Sequence, residues 1–265
     1  MDESTLPRSA VPPPVSGAPG PGAREPRTLP ASRGLAWWSE GWQVFTAAPG
    51  TWLLIVVVLL LIVVALAFVP VLGNLAQSLL APVFAGGIAL GCRALAKGRP
   101  LEVGHLFEGF AGGRLLPLLV VGMVYLAAMI VLWIVVLAVI LGVAGGAGLF
   151  SALTADPSQL GVALLASFGM TALAVAPLAV VAVALLGMAY WYAPALVVLN
   201  GEEPIAAMKK SFGACLRNVG AMLVYGLVLI GLSIAASIPF ALGWIVLAPV
   251  MAGSWYAGWR EMFDE

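Results

Sequence analysis

The sequence predicts an all-α, polytopic membrane protein that crosses the bilayer six times. Hydrophobic residues make up 62% of its 265 residues and charged residues only 9%, whereas soluble domains are roughly 45–50% apolar and about 25% charged. No charge interrupts the chain between Arg114 and Asp156, or between Asp156 and Glu202. Charge-free apolar runs of about 18 residues or more are typical of transmembrane helices. Because these runs are continuous and do not alternate with polar residues, they favour helices over a membrane barrel.

Six apolar segments are long enough to span a hydrocarbon core of roughly 30 Å at about 1.5 Å per helical residue. The first is bounded by Pro49-Gly50 and by Pro70. The predicted spans are 51–69, 73–92, 115–141, 160–189, 219–238 and 242–259.

The basic residues predict the orientation of these spans. Every Lys and Arg lies before span 1, between spans 2 and 3, between spans 4 and 5, or after span 6. The three opposite connections contain none, and Asp156 is the only charge there. Because cytoplasmic loops carry the excess of Lys and Arg, both termini are predicted to be cytoplasmic.

Residues 1–34 are predicted to form a disordered cytoplasmic tail. Eight prolines lie between Pro7 and Pro30, among Gly, Ala and Ser residues. Such a segment buries too little apolar surface to offset the entropy of ordering it. A docking motif for a proline-binding partner is the alternative interpretation. The remainder, residues 35–265, is predicted to be one six-span transmembrane domain.

One phrase occurs twice in the chain. Residues 80–93 read LAPVFAGGIALGCR, residues 247–260 read LAPVMAGSWYAGWR, and eight of the fourteen positions are identical. Each copy is the second helix of a predicted hairpin, ends at an arginine, and follows an amphipathic segment upstream of its hairpin. The pattern predicts a repeated unit of interfacial helix plus transmembrane hairpin in residues 35–96 and 203–263.

The amphipathic segments of these two units also align. Gly41-Trp42 of the first matches Ser211-Phe212 of the second. In the first segment, Trp38, Trp42 and Phe45 are predicted to share one helical face.

A third unit is predicted between the other two, in residues 100–199. Its amphipathic segment opens with Pro100, a residue favoured at helix starts, and places Phe107 and Phe110 on one face. Ala176-Pro177-Leu178 is the counterpart of the Ala-Pro-Val in the repeated phrase. Because each unit contains two spans, the three units are predicted to be parallel repeats around an axis along the membrane normal.

Five stretches of the chain have a recognisable pattern: GWQVF (41–45), LAPVFAGG (80–87), HLFEGF (105–110), WYAPALV (191–197) and AMKKSFGACLRN (207–218). In these stretches the chain resembles a family of uncharacterised bacterial multi-pass inner-membrane proteins. The resemblance covers nearly everything after Leu35 and implies a location in a bacterial inner membrane. It implies no activity, because the family has no established function to carry over.

Two prolines are predicted to kink their helices near the bilayer midplane, and a ligand site, if the protein has one, is expected there. Pro82 and Pro249 each lie eleven residues before the arginine of their copy, a rise of roughly 16 Å, or about half the hydrocarbon thickness. A helical proline frees the carbonyl four residues earlier, and in a membrane that carbonyl must find a partner or line a cavity. The favoured interpretation is that both prolines only shape packing, and a ligand site is the alternative. The candidate site residues are Asn74, Gln77, Ser78, Pro82, Ile245 and Pro249.

Few residues suit catalysis. No Asp, Glu, Lys, Arg or His lies within the predicted spans, and such residues mark proton relays and intramembrane sites. Glu102, His105 and Glu108 share one helical arc and could bind a metal, but the solvated face of an interfacial helix is the favoured interpretation. Cys92 and Cys215 are expected at the reducing cytoplasmic edge, without a disulfide. We therefore predict no catalytic residue, no metal site and no cofactor.

Three function classes remain. The favoured one is a non-enzymatic membrane component that binds or organises partner proteins or lipids. The alternatives are a permease for a small neutral or apolar solute and, ranked last, a membrane enzyme with a site at the cytoplasmic edge. The predicted partners are the lipid bilayer and, as a further candidate, another membrane protein; nucleic acid is not expected.

Overall fold

A computed structural model describes residues 25–154 and 157–263. Over these residues the protein is helical and contains no strand, so the all-α prediction is confirmed. In chain order the elements are α1 (Arg33–Ala47), α2 (Pro49–Ala67), α3 (Leu72–Ala96), a first 3-10 helix (Val103–Phe110), α4 (Leu115–Thr154), a second 3-10 helix (Pro157–Gln159), α5 (Leu160–Trp191), α6 (Ala193–Asn200), α7 (Pro204–Arg217), α8 (Val219–Ser237) and α9 (Trp244–Phe263).

Five segments of the described chain are helical, long and apolar enough to cross a membrane, which confirms a protein with several membrane helices. They are Pro49–Ala67, Leu72–Ala96, Leu115–Ser151, Leu160–Asn200 and Val219–Ser237. The sixth predicted span corresponds to the 20-residue helix α9. This helix is less apolar than the others because its C-terminal part contains Arg260, Glu261 and several aromatic residues.

The outer faces of the spans are apolar. Large side chains such as Leu61 of α2, Trp133 of α4, Leu173 of α5 and Leu227 of α8 are more than half exposed. In water such surfaces are unfavourable, whereas lipid tails solvate them.

The turns of two helical hairpins share one feature, a positive-φ residue that is followed two positions later by glycine. Val71, between α2 and α3, and Ala241, between α8 and α9, both have positive φ, at 66° and 63°. Gly73 and Gly243 follow two residues later. A side chain at either glycine would strike the backbone of the residue seven positions earlier in the chain, so each turn needs glycine for steric reasons.

The amphipathic helices do not pack mainly on their own hairpins. Helix α1 contacts α9 and α8 far more than α2 or α3. The first 3-10 helix packs mainly on α3, and α7 packs mainly on α5 and α6. Each amphipathic helix therefore contacts the hairpin that precedes it, and α1 contacts the last hairpin of the chain.

Small residues permit two of these contacts. Gly41 of α1 lies against the backbone of Val250 in α9, and Gly109 of the first 3-10 helix lies against the backbone of Val83 in α3. In both places the neighbouring carbonyl oxygen occupies the position that a Cβ would need. Any larger residue would separate the helices.

Ser211 of α7 forms the third contact. Its hydroxyl donates a hydrogen bond to the carbonyl of Met188 at 2.7 Å and accepts one from the amide of Tyr192 at 3.0 Å. The hydroxyl thus bridges two backbone groups that would pair directly in an unbroken helix. Pro194, which follows at the start of α6, cannot donate a backbone hydrogen bond, and the helix breaks here.

The buried face of α1 differs from the predicted one. Trp38 and Phe45 are 6% and 8% exposed, as expected for an inward face, but Trp42 is 52% exposed and Trp37 is fully buried. The reason is the glycine at position 41: α1 turns its small residue toward α9, which directs the adjacent Trp42 outward.

The boundary of the N-terminal tail also differs from the prediction. Residues 25–32, here called the N-terminal strap, lie against α9 and the junction of α7 and α8. Arg27 donates from its backbone amide to the carbonyl of Met262 at 3.0 Å, Leu29 packs against the core, and α1 begins at Arg33. Residues 25–34 are therefore part of the folded domain. The predicted disorder of residues 1–24 concerns a segment outside the described residues.

Candidate intramembrane binding site

A cavity of about 290 Å³ lies among α2, α3, α9 and the junction of α5 with α6. Its wall consists of aromatic, aliphatic and proline side chains. The lining residues are Trp52, Ile55, Val56, Leu59, Ala85, Ile88, Tyr190, Trp191, Pro194, Ala248, Pro249, Met251, Ala252 and Trp255. We call this space the apolar cavity.

Two tryptophans of the wall are fixed by hydrogen bonds to backbone carbonyls. Trp52 of α2 donates from Nε1 to the carbonyl of Val44 in α1 at 3.0 Å. Trp255 of α9 donates to the carbonyl of Trp191 at 2.8 Å, which lies at the end of α5. Because each indole N–H is occupied, the ring carbons of both side chains are left to line the cavity.

The wall offers almost no polar surface to a ligand. The Nε1 of Trp191 is buried within the protein and is not accessible from the cavity. The cavity therefore suits an apolar molecule.

The structure places one of the six predicted site residues in this cavity. Pro249 is buried and lines it, whereas Pro82 is buried against Gly122 of α4. Ile245 is half-buried and does not line the cavity. The two prolines of the repeated phrase thus face different neighbours.

The polar residues predicted for the same site lie elsewhere. Asn74, Gln77 and Ser78 are exposed at the start of α3, and the Ser78 hydroxyl donates to the carbonyl of Asn74 at 2.9 Å. They therefore do not form the wall of the apolar cavity. Three residues close together in the sequence line the cavity instead: Tyr190, Trp191 and Pro194. The sequence pattern alone does not predict a site at these positions.

Glu102 and His105 form a helix cap, and Glu108 lies beside it. The Glu102 side chain accepts from the backbone amide of His105, and Nδ1 of His105 accepts from the backbone amide of Glu102 at 2.9 Å. The Nε2 of His105 lies 3.7 Å from Oε1 of Glu108. Within the described residues, no group of three His, Cys, Asp or Glu side chains is arranged to hold a metal ion. These two reciprocal hydrogen bonds explain the presence of Glu102 and His105 at the start of the helix without a metal ion.

Charged residues of α1 form a network with charged residues at the C-terminal end of α9. Glu40 accepts from Arg33 and from Arg260, each at 2.8 Å. Glu261 pairs with Arg33 at 2.6 Å and accepts from Nε1 of Trp37 at 2.7 Å. The Glu261 carboxylate raises the pKa of Arg33 above its ordinary value. This network joins the first and last helices at the end that carries the basic residues.

Comparison with known proteins gives one informative match. No protein-family model matches the chain, and no solved structure matches it. A protein of Burkholderia thailandensis, named a probable inner membrane protein, is 29% identical over 214 residues, which cover 80% of this chain and 77% of the relative. This match and the apolar helices together confirm the resemblance to bacterial inner-membrane proteins that the sequence indicates.

Proposed function

We propose that the protein is a non-enzymatic component of the bacterial inner membrane that binds a lipid-like molecule in the apolar cavity. The observation that carries this proposal is the composition of the cavity wall, which contains four aromatic side chains and two prolines but no Asp, Glu, His, Lys or Arg. General acid–base catalysis needs a titratable group that works near neutral pH, and none of these five residue types lines the cavity. A volume of about 290 Å³ is at the small end for ligand pockets and suits part of an acyl chain.

The proposed topology has six spans with both termini in the cytoplasm. In this arrangement α9 is the sixth span. Its support is that α9 packs on α1, α2 and α8 and contributes Pro249 and Trp255 to a cavity that the spans α2 and α3 also line. The distribution of Lys and Arg over the connections supports the orientation.

The proposed architecture consists of three parallel units that close into a ring. The first support comes from the hairpin turns, where Gly73 and Gly243 lie 170 positions apart and make the same contact seven residues back. The positive-φ residues Val71 and Ala241 are separated by the same 170 positions. Gly41 and Ser211, which the sequence aligns, also differ by 170.

The second support comes from the contacts between units. Gly41 and Gly109 lie against Val250 and Val83, which occupy the same position of the repeated phrase. In each case the amphipathic helix of one unit packs on the second hairpin helix of the unit before it. Because α1 packs on α9, the first unit completes the ring with the third.

Retention of lipid by the purified protein tests the proposed function. Ala248→Phe inserts a ring into the apolar cavity, and Ala174→Phe places the same ring on an exposed position of α5. Lipid that remains bound in mild detergent is measured by native mass spectrometry. We expect wild type and Ala174→Phe to retain bound lipid and Ala248→Phe to lose it. The melting temperature of Ala248→Phe should equal that of wild type, which shows that the variant is folded. Equal lipid in all three proteins would contradict the proposal.

A further inference from the structure

Three amphipathic helices each meet a hairpin helix through a small residue. Gly41 of α1 lies against the carbonyl oxygen of Val250 in α9. Gly109 of the first 3-10 helix lies against the carbonyl oxygen of Val83 in α3. At the third contact, where α7 packs on α5, the small residue is Ser211. The third contact therefore differs from the other two by one hydroxyl group.

The helices that face the two glycines are continuous. Helices α3 and α9 run past their contact residues without interruption, although each contains a proline, Pro82 or Pro249. Helix α5 likewise continues past Pro177. A proline therefore does not by itself end a helix in this protein, and Pro194 alone does not explain why the chain breaks between α5 and α6.

The Ser211 hydroxyl lies within the break. It donates to the carbonyl of Met188 at 2.7 Å and accepts from the amide of Tyr192 at 3.0 Å, the two groups that an unbroken helix joins directly. A side chain inserted between such groups kinks a helix. Tyr192 has φ −102° and ψ −3°, away from the helical values of about −63° and −42°. Because Ser211 is fully buried, water does not compete for these hydrogen bonds.

The break determines how one wall of the apolar cavity is held. Helix α5 ends at Trp191, and the last carbonyls of a helix need partners from outside it. Trp255 of α9 supplies this partner, because its Nε1 donates to the Trp191 carbonyl at 2.8 Å. Its ring also stacks on that of Tyr192, with 6.2 Å between the ring centroids. Trp191 and Trp255 both line the cavity, whereas Ser211 does not.

We propose that Ser211 is a positioning residue of the apolar cavity, which holds the α5–α6 break so that the Trp191 carbonyl accepts the indole N–H of Trp255. This inference rests on the proposed function and names a residue outside the cavity that sets the shape of its wall. Without the hydroxyl, the amide of Tyr192 pairs directly with the carbonyl of Met188, and the Trp191 carbonyl pairs with the amide four residues later. The Trp255 indole then loses its acceptor.

The first measurement follows the indole N–H of Trp255 by NMR. The full-length protein carries isotope-labelled tryptophan, and Trp255→Phe identifies the signal. We expect Ser211→Ala to speed the exchange of this proton with solvent by about tenfold, the factor that corresponds to the loss of one hydrogen bond. The indole N–H of Trp52, which donates to the carbonyl of Val44, should exchange at its wild-type rate.

Ser167→Ala is the matched control. Ser167 also lies across a helix contact and donates from its hydroxyl to a backbone carbonyl, that of Ala144, at 3.0 Å, but it does not touch the α5–α6 break. An unchanged Trp255 exchange rate in Ser211→Ala, or an equal increase in Ser167→Ala, would overturn the inference. Ser211→Gly, which gives α7 the residue type of the other two contacts, should act as Ser211→Ala does and provides a second test if the alanine variant does not fold.

Lipid retention separates the positioning role from the proposed function. Trp255→Phe removes the same hydrogen bond, so the double variant with Ser211→Ala should retain as much lipid as Trp255→Phe alone. Losses that multiply in the double variant would overturn the inference, since the two residues would then act independently. Absence of lipid from wild type would contradict the proposed function, and the exchange rates would still decide the role of Ser211.

Discussion

The backbone amide of Leu29 donates a hydrogen bond of 2.7 Å to the side-chain oxygen of Asn218, although the two residues lie 189 positions apart in the chain. The side-chain nitrogen of Asn218 donates in turn to the carbonyl of Arg27 at 2.9 Å and to that of Ala214 at 2.9 Å. Asn218 is only 1% exposed. One buried amide therefore fastens the N-terminal strap to the junction of α7 and α8, directly before the chain enters α1.

Replacement of Asn218 by Ala should destabilise the folded protein by about 2 kcal/mol, because the backbone groups of Leu29 and Arg27 lose their partners. The measurement is the free energy of unfolding in detergent. Asn74→Ala is the control, since the Asn74 side chain is exposed, and its effect should be within about 0.5 kcal/mol. Equal losses in the two variants would contradict the role given to Asn218.

Two truncations should distinguish the contribution of the strap to thermal stability from that of the segment before it. Deletion of residues 2–24 leaves every contact described for the strap in place, so the melting temperature should stay close to that of the full chain. Deletion of residues 2–32 also removes the hydrogen bonds to Asn218 and Met262 and should lower it. The expectation fails if both truncations melt at the same temperature as wild type, because the strap would then contribute no stability.

Gly41→Ala should disrupt the packing of α1 on α9. The added methyl group would meet the backbone of Val250 and Ser254, and overpacking of this kind costs about 1–3 kcal/mol. Gly213→Ala is the matched control in α7, where a Cβ would meet nothing within 4 Å. Because alanine is the better helix former, this variant should be neutral or more stable by up to about 1 kcal/mol. Chemical denaturation of both variants checks the difference in sign.

Cys215 should resist alkylation in the folded state. Burial raises the pKa of its thiol from an ordinary 9.0 to about 12, although a hydrogen bond with Ser211 opposes this shift. The thiolate is the reactive form, so the rate of iodoacetamide labelling in a Cys92→Ala background should remain low until the pH approaches 12. Rapid labelling at pH 9 without unfolding would contradict this.

The same pKa shift predicts how stability depends on pH. The unfolded thiol loses its proton near pH 9, whereas the folded thiol keeps it to about pH 12. The unfolded state therefore binds fewer protons between these values, and the free energy of unfolding should fall as the pH rises from 9 toward 12. Cys215→Ser should reduce that slope in denaturation measured at several pH values.

The sequence predicts the helices better than it predicts their contacts. Long apolar runs and basic connections are local signals, and they place α2, α3, α5 and α8 within a few residues of their observed ends. Helix α4 continues to Thr154, well beyond the predicted end at residue 141, because the glycine-rich stretch after that residue remains helical. The ordered conformation of the N-terminal strap cannot be predicted from its local sequence, because it depends on hydrogen bonds to Asn218, a residue far away in the chain. The break between α5 and α6 depends on a hydroxyl from α7, which Pro194 alone does not reveal.

The candidate site shows the same limit. Pro249 was identified because a proline within a helix is a local anomaly, and it lines the apolar cavity. Asn74, Gln77 and Ser78 are polar and near Pro82 in the sequence, which predicts them for the same site, yet their side chains are exposed. Which face of a membrane helix points inward depends on neighbouring helices, and hydropathy does not encode it when both faces are apolar.

The most direct test of the whole account is the location of the C terminus. Five described helical segments satisfy the length and composition of a span, and the proposed topology requires α9 to be the sixth. A periplasmic phosphatase reporter fused after Glu265 should be inactive, as it should be after Gly98, while the same reporter after Asp156 should be active. Phosphatase activity at Glu265, with the other two fusions as expected, would mean that α9 does not cross the membrane, and the ring of three parallel hairpins would then be wrong.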